Sequence, residues 1–442
     1  MSSWFGPAGE PPSIGLEPQL VARILHEELR GSWPPRFPLA LQPLVLPVAS
    51  YRALLRATAG LLVLMRKAVW HAAGDSKGRM AALGIDPSAL PFLTADDDFE
   101  LRHCADMARA DVVITATGPK FVEINVSGAI GGMADCQFYL EGWRRVAERA
   151  GTLPFIGVDL WSRLAALVER TCAEELDAPP SAVIVDHLSD VDRATTADTT
   201  WRQVAGLRAH GVRARHVDPA DLLAGIGLPG PVREPLGLAE FDLDDAKASG
   251  CDLSPVRSAM DAGLRLIPSQ SALLLHSKKT LAWLSEGQPW MDAGERALVD
   301  RYVPWTRVVG DRPVRWRGRR YDLPALLLRH RESFVLKGSM GCGGKEIAFG
   351  AGTEAGEWAG LVEQAVVTGY PVVQEVVPPD LAPVDVLTGP GEIVRMAANA
   401  VVSPFCIGGV PAGCMARFVP AGPPGLIRCS HGAVLTCLVA GS

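Results

Sequence analysis

Ser333-Phe-Val-Leu-Lys-Gly-Ser-Met-Gly-Cys-Gly-Gly-Lys-Glu-Ile-Ala-Phe-Gly350 reads as an apolar strand ending in a lysine, a glycine-rich loop, and a second short strand. Glycines let backbone N–H groups approach a ligand closely, so such a loop can fold over phosphate oxygens while Lys337 supplies charge. The segment does not match Walker A, because Ser339 and Glu346 stand where that pattern needs glycine and serine or threonine. It does not complete GxGxxG either. Taken alone, it also reads as a tight hairpin turn with an incidental lysine.

On the C-terminal side, residues 354–369 place Ala355, Trp358, Leu361, Val362, Ala365 and Val366 on one face of a helix. Pro371-Val-Val-Gln-Glu-Val-Val-Pro-Pro379 follows as a buried strand stopped by two prolines. Its Gln374, Glu375 and Val377 could form a hinge whose backbone reads a base edge. Farther on, Arg417 follows a Gly/Pro turn at 408–413, where an arginine can clamp an anionic transition state. The uncharged run 396–416 is long enough to span a bilayer, but Pro404 and Pro411 make it two buried strands around a turn.

On the N-terminal side, residues 263–286 read as strand, loop and a helix beginning near Lys278-Lys279. Compact lysine charges suit phosphates, and a solvated helix start is the plainer reading of the same pair. Residues 181–219 read as strand–helix–strand, a βαβ unit that requires a parallel sheet. Residues 220–262 read as a loose acidic connection and a boundary. Residues 133–150 read as a helix. Before it, two apolar runs joined at Gly118-Pro119 read as a hairpin. The second run leads into Phe121-Val-Glu-Ile-Asn-Val-Ser-Gly-Ala-Ile-Gly-Gly132. Glu123 and Asn125 lie two apart on a strand and so share a face. A carboxylate and an amide oxygen are hard ligands suited to Mg²⁺; bracing of the glycine loop is the alternative.

The chain has 442 residues, which predicts two to four domains at roughly 100–200 residues each. Lysine and arginine total 43 against 49 acidic residues, a net charge of −6 that argues against a dedicated nucleic-acid binder. The nine cysteines are odd in number and form no CxxC pair, which points to reduced thiols and a cytoplasmic setting. The N-terminus lacks the basic-then-apolar order of a signal peptide. No HExxH or GxSxG motif is present.

Taken in order, these segments resemble the ATP-grasp superfamily, and within it the circularly permuted branch of eukaryotic-type glutathione synthetases and glutathionylspermidine synthetases. Glu123-Ile124-Asn125 with Gly131-Gly132 resembles the branch's EIN…GG pattern, and Lys278-Lys279 its lysine signature. Lys337 with Gly338, Ser339, Gly341, Gly343 and Gly344 resembles its flexible grasp loop. Val-Val-Gln374-Glu375 resembles the adenine-contacting segment, and the glycine-rich block ending at Arg417 its last block. The resemblance covers about 95–440.

It implies a multi-domain α/β architecture: an N-terminal region 1–175 giving the Glu123/Asn125 strand to the core, a βαβ substrate domain 176–262, and a lid with the C-terminal ATP-binding region, 263–442. It implies an ATP- and Mg²⁺-dependent carboxylate–amine ligase working through an acyl phosphate and releasing ADP and phosphate. By the same resemblance, Lys278 or Lys279 and Lys337 hold phosphates, Glu123 and Asn125 hold Mg²⁺, and Arg417 and Lys337 act in catalysis. The partners expected are a small-molecule carboxylate and an amine, with no nucleic acid, no membrane, and a homodimer as the assembly. Two departures stand out. The branch's metal-binding glutamate four residues after the loop lysine is Gly341 here, leaving Glu346, Asp385 or no third ligand. The proline that commonly follows that lysine is Gly338. They leave open a non-catalytic nucleotide-binding regulator, and the architecture also suits a phosphotransferase.

Overall fold

The computed structural model describes residues 4, 14–30, 38–152, 155–187, 190–223, 234–341, 346–423, 425–429 and 432–441, with side chains of 190–198 not described. Helices and strands mix throughout, and the described strands form four sheets. The largest has eight strands. Its spine is the hairpin Glu392–Ile407 and Val410–Pro420, so the uncharged run 396–416 is indeed two strands around a turn. Gly408 and Gly409 make that turn at φ 58° and 75°, a conformation side chains disfavour.

One edge of Glu392–Ile407 pairs first with Leu381–Gly389 and then with Met107–Thr115. Met107–Thr115 pairs in turn with Gly118–Val126, the strand that carries Glu123 and Asn125. The hairpin is as expected, except that Gly118 and Pro119 open its second strand instead of forming the loop. Helix Val48–Ala72 covers one face of the sheet, packing Leu54, Leu61, Met65 and Val69 into a core with Ala400, Val402 and Phe418. It is the one described helix long and apolar enough to cross a membrane, and half of its apolar window is buried inside the protein. Helices Met133–Ala150 and Leu160–Glu175 cover the other face. The first starts after Gly132 and stops at Gly151, both left-handed, so its bounds are set by glycine geometry.

A second, four-stranded antiparallel sheet orders Ile347–Phe349, Phe334–Lys337, Val372–Glu375 and Thr306–Val308. The strand–glycine loop–strand expectation holds here. Phe334, Leu336 and Val373 bury one face under helix Ala355–Thr368, whose Trp358 donates to Leu327 O at 3.0 Å. Of that helix's expected apolar face, Trp358, Val362 and Ala365 are buried, while Ala355 is exposed. The opposite face of the sheet carries Val335 and Lys337 toward the large sheet.

The third sheet is parallel, in the order Arg213–Val217, Ser181–Val185, Leu236–Ala239, Arg265–Ile267. The βαβ unit is present, with its helix spanning Asp190–Ala209. The expectation of a loose connection over 220–262 is corrected: Leu236–Ala239 is a central strand, and Leu243–Ala248 and Ser254–Asp261 are helices. Four residues with one glycine give little local strand signal, and pairing on both sides supplies the rest. This sheet meets the loop after Glu123/Asn125 very closely. A Cβ on Gly128 would lie 1.7 Å from Ala239 O. Gly128→Ala should therefore cost about 1–3 kcal/mol and speed amide exchange in 236–239; a neutral melting temperature and unchanged exchange would contradict this contact.

Candidate active site

The side-chain period of two puts the polar residues of neighbouring strands on one face. Asp111 lies opposite Glu123, Arg109 opposite Asn125, and Arg417 opposite Val401. These residues, with Asn399, face Val335, Lys337, Ile347, Phe349 and Gln374 of the antiparallel sheet across a cleft of about 210 Å³.

Arg417 donates to Asp111 Oδ1 at 2.7 Å and to Ser403 Oγ at 3.1 Å, and Ser403 donates to the same carboxylate at 2.9 Å. Burial alone would push Asp111 up, but Arg417 and Arg109 with these hydrogen bonds outweigh it and hold its pKa at about 2. The pair is thus ionised throughout the physiological range. Arg417 Nε is buried and makes no hydrogen bond, so this guanidinium has a donor left to spend.

Lys337 donates to Gln374 Oε1 at 2.8 Å and to Val122 O at 3.0 Å, which leaves one of its three N–H groups for the cleft. Burial pulls its pKa down to about 8, with Glu123 opposing and Lys278 adding to the effect.

Lys278 lies 3.2 Å from Glu123 Oε1 and donates to Gly341 O at 2.7 Å, tying the carboxylate to the root of the glycine loop. Its own N–H donates to Ser339 O at 2.8 Å. Lys279, the next residue, points elsewhere: a Cβ on Gly84 would lie 3.4 Å from its Nζ. A helix starts at Lys279, and the turn separates the two side chains.

Of the expected loop residues, Gly338, Ser339 and Gly341 are described, and Gly343 and Gly344 lie outside the described residues. Ser339 Oγ is buried without a partner. Glu346 folds back against the loop root. A Cβ on Gly338 would lie 1.7 Å from Glu346 Oε2, and one on Gly341 2.9 Å. Glycine at both positions makes room for this carboxylate, which also accepts from Tyr370 Oη at 3.4 Å. Asp385, the other expected acid, is not in the cleft; Arg395 holds it bidentately at 2.7 and 2.8 Å on an outer strand.

Glu375 and Val377 line the cleft beside Gln374, and Glu375 pairs with Arg317 at 2.8 Å. A second cavity, about 270 Å³, opens beyond Ser127, between Phe92, Phe241 and His276. His276 marks the junction, because it feels Lys278, Glu123 and Arg109 on one side and Asp242 on the other. Burial, then Lys278, bring its pKa to about 4, so the ring is neutral.

The sequence reading missed Arg109, Asp111, Asn399 and Ser403. The usable signal was Arg109 and Asp111, two apart at the head of an apolar strand. Their partner Arg417 lies 306 positions from Asp111, beyond any local pattern.

No protein-family model and no curated protein sequence matches this chain. Among solved structures, it is similar to the apo form of a glutathione synthetase-like effector from Globodera pallida, at 14% identity and TM-score 0.58, covering 98% of this chain and 99% of that one. A protein described as a γ-glutamylcysteine synthetase from Methylobacillus flagellatus KT aligns at 13% identity and TM-score 0.42, covering 86% and 88%. The chain thus shares, along nearly its whole length, the fold of a glutathione synthetase-like protein.

Proposed function

We propose that this protein is an ATP- and Mg²⁺-dependent ligase that joins a carboxylate to an amine through an acyl phosphate, releasing ADP and phosphate. One observation carries the reading. Lys278, Lys337, Arg109 and Arg417 converge on a cleft that also holds Glu123, Asn125 and Asp111. A triphosphate, a substrate carboxylate and a developing oxyanion need that density of cations.

The donor set fits the absent groups. Arg417 Nε and Ser339 Oγ are buried donors without partners, which suits an anion. Glu123 and Asn125 offer oxygen ligands on one strand face. Glu346, folded against Gly338 and Gly341, is the carboxylate at the loop root that would serve as a third ligand in place of an acid at 341. Mg²⁺ held there would neutralise charge between the terminal phosphates. Lys337 and Lys278 would hold phosphate oxygens, with the described loop root, Gly338, Ser339 and Gly341, beside them. Arg417, oriented by Asp111 and Ser403, meets the charge that develops on the transferring or tetrahedral group. The adjoining cavity beyond Ser127 holds a substrate, next to neutral His276. Incubation with ATP, Mg²⁺ and paired carboxylate and amine pools should release ADP with a condensed product visible by mass. A stable phosphorylated product without condensation would support phosphotransfer, and binding without ADP under every pool would support a regulator.

The pH dependence follows from Lys337. Burial disfavours its charged form, so the free protein gains stability as pH rises from about 8 toward the ordinary lysine value of 10.5. Nucleotide binding runs the opposite way, because phosphate favours the charged form. ATP affinity should fall as pH rises above about 8, and Lys337→Ala should bind more weakly with a flat profile. A flat wild-type profile would contradict the role given to Lys337.

A further inference from the structure

At the C-terminal ends of two adjacent parallel strands stand His187, just after Ser181–Val185, and Asp218, just after Arg213–Val217. The segment between helices Leu243–Ala248 and Ser254–Asp261 brings Cys251 beside them. One ligand atom from each, nitrogen, oxygen and sulfur, lies within 4.8 Å of the other two. All three are partly buried. They come from segments far apart in sequence, so the fold assembles the cluster. Ligands of open α/β sheets commonly bind at this edge of the strands.

The hydrogen bonds around His187 fix its orientation. Nδ1 lies 3.0 Å from Asp218 Oδ2, and Nε2 lies 2.7 Å from Ser249 Oγ. Ser249 Oγ also lies 2.9 Å from Ala246 O, so its hydroxyl links the ring nitrogen to the end of helix Leu243–Ala248. Cys251 Sγ lies 3.9 Å from Asp218 Oδ1 and completes a nitrogen, oxygen and sulfur set around one point. A ring nitrogen, a carboxylate oxygen and a thiolate are the donors zinc prefers, and an outer hydrogen bond from the second ring nitrogen is the usual support for a ligating histidine.

We infer that His187 Nδ1, Asp218 and Cys251 form a zinc-class metal site, with Ser249 orienting the histidine and a fourth tetrahedral position open to water. The site is separate from the Glu123/Asn125 cleft, and its donor set separates the two metals: oxygen ligands for magnesium there, nitrogen and sulfur here. Binding releases the thiol proton to solvent as the thiolate becomes a ligand.

Cobalt(II) titrated into the full-length, chelator-stripped protein tests this, with zinc chloride as competitor. The expected result is one equivalent of cobalt bound, with tetrahedral visible bands and a thiolate-to-cobalt charge-transfer band, both displaced by zinc. Cys251→Ser should lose the charge-transfer band, Cys429→Ser should keep it, and Ser249→Ala should weaken cobalt binding roughly 10–100-fold. No bound cobalt, or an undiminished charge-transfer band in Cys251→Ser, would overturn the site and leave His187–Asp218 a plain histidine–carboxylate hydrogen bond. Magnesium up to millimolar levels should not compete; full competition would also overturn the assignment.

Discussion

Glu123→Gln should cut ADP release by roughly 10²–10³-fold while leaving the fold intact, the scale seen when one electrostatic group of an active site is removed. The substitution keeps size and shape, but removes the charge and turns one acceptor oxygen into an N–H donor. Glu123 has two jobs in the account. On the proposed function it would ligate Mg²⁺ with Asn125, and in the free protein it lies beside Lys278, which ties it to Gly341. Loss of the charge removes a metal ligand and leaves Lys278 facing Lys337 with less compensation, since Glu123 is the group that opposes the fall in the Lys337 pKa. A higher requirement for Mg²⁺ should accompany the loss of turnover. Unchanged turnover and unchanged Mg²⁺ dependence would remove Glu123 from the metal site.

Asp111→Ala should destabilise the protein by roughly 3–5 kcal/mol, because it strands two buried arginines without their shared carboxylate. Arg417 would lose its 2.7 Å partner and Arg109 its 3.5 Å neighbour. Ser403 would keep only part of the network. The pH dependence has a defined sign. Asp111 titrates at about 2 in the folded protein against an ordinary 3.8, so its contribution is complete above the unfolded value and is lost as pH falls from there toward 2. Denaturant unfolding of wild type and Asp111→Ala at neutral and acidic pH reads both effects. A variant as stable as wild type at neutral pH would show that the network adds nothing to the fold. Loss of stability with full catalysis would show that Asp111 supports the sheet and not the position of Arg417.

Elements with local markers were legible in the sequence. Helix Met133–Ala150 lies between glycines that can only be left-handed there, and the hairpin 392–420 turns on a glycine pair. The lysine-ended strand and the strand after the glycine loop were legible because apolar runs stop abruptly at Lys337 and Gly350. Strand Leu236–Ala239 was not, because its identity comes from two neighbours far away in sequence. The same limit applies to the site. Glu123 and Asn125 share a strand, so their common face can be read directly. Lys278 and Lys279 cannot be told apart by sequence, since packing against Gly84 decides which one turns away. Gly341 reads as a missing ligand, and only the fold shows Glu346 turned back against Gly338 and Gly341. The charges at 111 and 417 become partners only when the sheet brings their strands together.

The central claim is that the cleft between the eight-stranded sheet and the four-stranded antiparallel sheet binds a nucleotide through Lys337 and Lys278. Thermal unfolding with and without ATP and Mg²⁺, for wild type and Lys337→Ala, tests it without knowledge of the other substrates. Ligand at 100 times its Kd should stabilise wild type by about 2.7 kcal/mol, a rise in melting temperature of a few degrees. The account predicts that rise in wild type and its loss in a folded Lys337→Ala protein. No shift in wild type with ATP or any other nucleotide, or an equal shift in both proteins, would contradict it.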